Sequence, residues 1–135
     1  MDQHLARLIG DYKASVHRAT ELMRQSDIAL PASNTDWAGN GIPQRGELLG
    51  GISYFKHGYG CAVKLPEGSV DFDFGAHGEI DGFDAWRLVA FAGTRLSKYG
   101  FKNEAALITC FNEAVAAGSV VYSGYILHYV AANAV

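Results

Sequence analysis

Cysteine is scarce in this chain. Two residues, Cys61 and Cys110, occur in 135. Two thiols cannot build the dense disulfide framework of a small secreted scaffold, so they read as buried thiols in a reducing compartment. Charge is also thin, at 19% charged against 49% hydrophobic residues, a balance that excludes disorder. Long hydrophobic runs are missing. No stretch approaches the ~18 apolar residues of a membrane span, and the greasiest part, from Val120 to Val130, is interrupted by Ser123, Gly124 and His128. The start, Met1-Asp2-Gln3-His4, lacks the basic region of a secretory signal. The expectation is a cytoplasmic protein with no membrane association.

Catalytic and cofactor signatures are absent too. There is no G-x-S-x-G, no P-loop and no dinucleotide fingerprint. The five histidines, His4, His17, His57, His77 and His128, show no zinc-site spacing. Basic residues do not cluster with aromatics, which argues against a nucleic-acid surface. His57 lies four residues before Cys61 across a glycine turn. A nucleophilic pair there needs an activating group beside the thiol, and none can be assigned. No catalytic residue, metal or cofactor is expected.

What is present is a well-punctuated single domain spanning residues 1–135. From Gln3 to Gln25, the residues Leu5, Leu8, Ile9, Tyr12, Val16, Ala19 and Met23 recur at helical spacing. Residues 26–46 lose all periodicity and read as a long loop carrying Trp37. Strands follow at Ile52–Phe55, Cys61–Leu65 and Val70–Phe74, joined by turns containing glycine and proline, which makes an antiparallel meander. The period returns to helical after Ile80. Asp81 is placed to cap, and Trp86, Val89, Ala90 and Gly93 are read as the inner face. Tyr99-Gly100 breaks the chain. Asn103 caps a third helix with Leu107, Cys110, Phe111, Ala114 and Val115 facing inward, and Gly118 ends it. The last segment reads as one or two strands around Ser123-Gly124 that join the sheet. Strands and helices are segregated along the chain, so the class is α+β: an N-terminal helix, an antiparallel meander, two helices and a C-terminal strand or hairpin.

The most specific feature is charge placement. Between Lys64 and Arg87 lie six carboxylates, Glu67, Asp71, Asp73, Glu79, Asp81 and Asp84, with no Lys or Arg. That leaves eight of the 14 acidic residues to set against 11 basic ones, so the rest of the chain carries +3 while the overall charge is -3. Crowded like charges favour a cation or a basic partner nearby. Side chains alternate along a strand, so Asp71 and Asp73 share one face, a pattern suited to Mg²⁺ or Ca²⁺. The stretch from Asp71 to Glu79 faintly resembles a calcium loop. It departs at the sixth position, Ala76, where glycine is needed, and at the twelfth, Gly82, where a bidentate Glu belongs.

The segments Gly58-Tyr59-Gly60-Cys61-Ala62-Val63-Lys64-Leu65, Val70-Asp71-Phe72-Asp73-Phe74-Gly75 and Gly78-Glu79-Ile80-Asp81-Gly82-Phe83-Asp84-Ala85-Trp86-Arg87-Leu88 form a pattern. It resembles a family of small bacterial proteins similar to the immunity partners of secreted polymorphic toxins, including contact-dependent inhibition and Rhs-type systems. The resemblance implies a protein that binds and neutralises a cognate toxin domain. Many such toxins are nucleases with basic surfaces, which an acidic partner complements. Asp71, Asp73, Glu79, Asp81 and Asp84 are then the candidate partner-binding carboxylates, and Trp37 and Tyr59 the candidate aromatic anchors. Arg87 is a candidate for an internal pair. Two other readings stand beside it. One is a metal-dependent hydrolase using Asp71 and Asp73 with His57 or His77. The other is a regulatory or scaffold domain pairing through its C-terminal strands.

Overall fold

In the computed structural model, residues 2–26, 45–57, 60–73, 83–123 and 126–129 are described. Helix α1 runs Gln3–Gln25, opened by Asp2, whose side chain accepts from the Leu5 backbone N–H at 3.0 Å. Every apolar residue of the expected stripe is buried: Leu5, Leu8, Ile9, Tyr12, Val16, Ala19 and Met23. That stripe is the hub of the core. It meets both the helical layer and the inner face of the sheet.

The sheet has four antiparallel strands in chain order: β1 (Arg45–Glu47), β2 (Ser53–His57), β3 (Gly60–Leu65) and β4 (Gly68–Asp73). Strand β1 lies in what sequence reads as loop. It is three residues long, carries Gly46 and two charges, and leaves no alternation to detect. Pairing Tyr54 with Val63, Val63 with Val70 and Cys61 with Phe72 brings the buried residues onto one face. The register puts Arg45, Glu47, Ser53, Phe55, Ala62, Lys64, Ser69 and Asp71 on the other.

Helix α2 (Phe83–Ala92) continues into a 3-10 helix, Gly93–Tyr99, that Gly100 ends at φ 86°. Helix α3 (Glu104–Ala116) starts at Asn103, whose side chain accepts from the Ala106 N–H at 2.9 Å. Gly118, at φ 74°, turns the chain into β5 (Val120–Ser123) and β6 (Ile126–Tyr129). Among the described residues these two form their own antiparallel ladder and pair with none of the four meander strands, where the sequence led us to expect them to join the sheet. The reason is their neighbours: β6 packs along α1 and β5 follows α3, so the hairpin covers helices.

The orientation of α2 also differs from expectation. Ala85, Leu88, Phe91 and Ala92 are buried, while Trp86, Ala90 and Gly93 are exposed. The helix is apolar nearly all round, so its hydrophobic pattern does not choose a face. Arg87, the one basic residue that would mark the solvent side, is only 5% exposed.

Polar contacts tie these layers together. The Tyr99 hydroxyl donates to Asp11 Oδ2 at 2.6 Å, and Arg7 donates to the Lys98 carbonyl at 2.6 Å while lying over the Tyr99 ring. The β3–β4 turn presses closest on α2. A Cβ at Gly68, where φ is 148°, would stand 2.5 Å from the Phe91 carbonyl oxygen. Gly68→Ala is therefore expected to destabilise the protein by about 2 kcal/mol or more, since backbone must yield. Gly10, mid-helix with nothing within 4 Å of a Cβ, behaves oppositely. Gly10→Ala is expected to stabilise by about 0.5–1 kcal/mol. Urea denaturation of the two variants checks both signs.

Candidate functional site

The acidic segment divides into parts with different environments. Glu67, in the turn between β3 and β4, is held by Arg18 of α1 through two contacts of 2.5 and 2.7 Å. Burial pushes its carboxyl up, but a backbone N–H, the Arg18 guanidinium and the Ser15 hydroxyl outweigh that and leave it below its ordinary value. This carboxylate is neutralised internally and leaves the group offered to a partner. Arg18 and Glu67 are far apart in sequence, and only the packing of α1 over the turn brings them together.

Asp71 sits half-buried on the outer face of β4, opposite Ala62. Asp73 is the last residue of β4, and the register puts positions 71 and 73 on the same face, as alternation requires. Asp84 is the second residue of α2. Glu79, Asp81, Trp37 and Tyr59 lie outside the described residues, as does His77. The register thus places positions 71 and 73 on one face, and the Asp73 side chain lies outside the described residues. Among the described residues, no group of three or more His, Cys, Asp or Glu is arranged to hold a metal ion.

The outer sheet face is not uniformly acidic. Arg45 stands across from Phe55, and the Lys64 ammonium lies 5.4 Å from the centre of the Phe55 ring. With Glu47 and Ser53 they line an open cleft of about 570 Å³. Charges of both signs are therefore interspersed on this face: Arg45 and Glu47 on β1, Lys64 on β3 and Asp71 on β4. A smaller pocket of about 210 Å³ lies among Asp11, Ser15, Glu67, Arg95 and Tyr99, where the polar groups serve the contacts that dock α1.

The thiols are structural. Both are free. His57 pairs with Gly60 and Cys61 with Lys56, so positions 57 and 61 fall on opposite faces of the sheet and form no nucleophile–base pair. Burial, helped by the Asp71 charge, pushes the Cys61 thiol up to about 12. Burial and then the Asp2 carboxylate push Cys110 up to about 11. Cys110 is only partly buried at the margin of the core.

One feature escapes sequence reasoning. Trp86, placed inside by pattern, is exposed, while Arg87, a candidate for an internal pair, is buried. The composition of α2, with one cation among apolar residues, carried no signal strong enough to tell them apart.

Compared with known proteins, residues 5–130 match the family model described as a domain of unknown function, DUF6896. No curated protein and no solved structure matches. No helix among the described residues is long and apolar enough to cross a membrane.

Two expectations follow. At pH 8, iodoacetamide is expected to leave both cysteines of the folded protein almost unlabelled and to label both after unfolding. Rapid labelling of native Cys61, read by mass spectrometry, contradicts the burial argument. The second concerns acid. Because the folded Glu67 carboxyl titrates below its ordinary 4.5, its stabilisation is present above that pH and is lost as pH falls through the folded value. Glu67→Gln is expected to cost at most about 1 kcal/mol at neutral pH, since the pair is partly exposed. That difference from the parent is expected to shrink as pH falls below the ordinary glutamate range and to vanish once it is below the folded value. Denaturant melts at a series of pH values measure it.

Proposed function

The chain belongs to the DUF6896 family, and we propose that it is a cytoplasmic immunity protein that binds and blocks a cognate secreted bacterial toxin domain without chemistry of its own. The observation that carries this reading is the concentration of acidic residues in segment 71–84 of the sequence. Asp71, Asp73, Glu79, Asp81 and Asp84 occur there with no Lys or Arg among them. The next cation along the chain, Arg87, is turned into the interior. Arg18 is already engaged with Glu67. A buried guanidinium has to be satisfied within the protein, so Arg87 is engaged internally.

The chemistry of the partner follows. A nuclease-type toxin presents a basic, phosphate-seeking surface. Carboxylates laid over it hold its cationic groups, exclude nucleic acid and speed encounter through long-range attraction. The resemblance of the Gly58–Leu65, Val70–Gly75 and Gly78–Leu88 segments to immunity partners of polymorphic toxins supports the same role.

The test is co-expression with the C-terminal domain of the large secreted protein encoded in the adjacent gene. The expected outcome is restored growth and a complex that copurifies. Persistent toxicity with no copurification overturns the proposal.

A further inference from the structure

The open cleft on the outer face of the sheet holds polar groups that the fold does not use. Its volume of about 570 Å³ falls in the range of small-molecule sites, roughly 300–1,000 Å³. Three strands in register build it. Arg45 of β1 stands opposite Phe55 of β2, while Glu47 of β1 stands opposite Ser53 of β2, which in turn stands opposite Lys64 of β3. Adjacent strands lie ~4.8 Å apart, within easy reach of long side chains. Arg45 and Lys64 therefore border Phe55 from two sides, and the Lys64 ammonium lies 5.4 Å from the centre of its ring. Arg45, Ser53 and Lys64 are exposed, and Phe55 is half-buried between them. The strands are fixed from behind by Tyr54 and Val63, both buried in the core.

Neither cation is neutralised by a described carboxylate. The ion pairs among the described residues join His4 to Asp2, Arg18 to Glu67 and Arg24 to Glu21, and none involves Arg45 or Lys64. Lys64 pairs with Ser69, which makes Asp71 its diagonal neighbour on β4, yet its ammonium lies over Phe55 on the other side. Glu47 is the one carboxylate lining the cleft, so the lining carries a net positive charge. Like charges bordering one ring repel each other, and an anion between them removes that cost. The donors also specify its shape. A guanidinium offers a planar fork to two oxygens, an ammonium offers rotatable donors to a third, and the Ser53 hydroxyl supplies one more. A carboxylate has one charge and two oxygens in a plane. A phosphate monoester has up to two charges and three free oxygens, which suits two cations and a hydroxyl set around it.

We propose that the cleft between β1, β2 and β3 is a binding site for a small phosphate monoester, with Arg45, Lys64 and Ser53 holding the phosphoryl oxygens and Phe55 lying beneath them. The cleft is larger than a phosphate group, and the remaining space takes the organic part of the ester. Glu47 bounds the site on the β1 side and repels a phosphate that slides along the strand away from Arg45. The site is separate from the partner-binding role proposed above, and neither depends on the other.

The experiment titrates the full chain with phenyl phosphate at pH 8 and low ionic strength, followed by calorimetry and by amide shifts in two-dimensional NMR. Saturable binding is expected, with shifts at Arg45, Glu47, Ser53, Phe55 and Lys64. Benzoate, which keeps the ring but offers a planar monoanion, is expected to bind at least about tenfold more weakly. Arg45→Gln and Lys64→Gln are each expected to weaken phenyl phosphate binding about tenfold or more, and Glu47→Gln to strengthen it. All three positions are exposed, so the thermal midpoint is expected to stay close to that of the parent. Lys102→Gln, an exposed cation outside the cleft, is expected to bind like the parent. Binding is also expected to weaken below about pH 6, where the ester takes up its second proton. No saturable binding up to about 10 mM, a concentration that still detects very weak sites, overturns the proposal. So do shifts that map elsewhere, or a loss in Lys102→Gln as large as in Arg45→Gln and Lys64→Gln.

Discussion

The fold depends on burying the apolar stripe of α1. Seven side chains of this helix, from Leu5 to Met23, are almost completely removed from water, and each large one contributes about 1.5–3 kcal/mol. A single helix cannot bury its own stripe. The inner face of the meander closes over it on one side through Val63, Val70 and Phe72, while α2, α3 and the C-terminal hairpin cover the rest. Placing the helices and the hairpin around α1 leaves the second face of the sheet without a helical layer among the described residues. That is why Arg45, Lys64, Glu47 and Asp71 can sit there, and why the acidic stretch after Asp71 begins at a surface and not in the core.

This constraint also explains the fate of the charges. Where the β3–β4 turn meets α1, Glu67 lands beside Arg18 and becomes part of the scaffold. Where α2 lies over β4, Arg87 is drawn inside with Leu88 and Phe91, and a charge in that position has to be paired within the protein. Removing the cation from the outside of α2 leaves Trp86 as the outward feature. Buried and exposed positions are therefore interleaved along one segment: alternate residues of β4 serve the core, Arg87 is buried with α2, and Trp86 is exposed.

Much of this was legible in the sequence where signals were local and redundant. The stripe of α1 keeps strict helical spacing over 23 residues, and Asn103 and Gly118 mark the ends of α3 by chemistry that needs no tertiary context. The alternation of Val70, Asp71 and Phe72 specifies both strand and face. Legibility failed where a position had two acceptable answers. An all-apolar α2 can be rotated by one residue without changing its composition, and the rotation was decided by packing on β4. The three-residue β1 exists because Tyr54 lies over Gly46, where any Cβ would meet the ring within 2.9 Å. The ladder joining β5 to β6 and not to the meander, and the pairing of Arg18 with Glu67, are properties of the assembled layers. They carry no trace in either partner's own neighbourhood.

The central claim is that the acidic surface exists to meet a basic partner, and long-range attraction gives that claim a direct kinetic signature. Stopped-flow measurement of the association rate with the adjacent-gene toxin domain, from low to high ionic strength, reads it without reference to any single side chain. The account predicts fast association at low salt that falls steeply as salt rises, while the dissociation rate changes little. An association rate that is independent of salt, or that rises with it, contradicts the account.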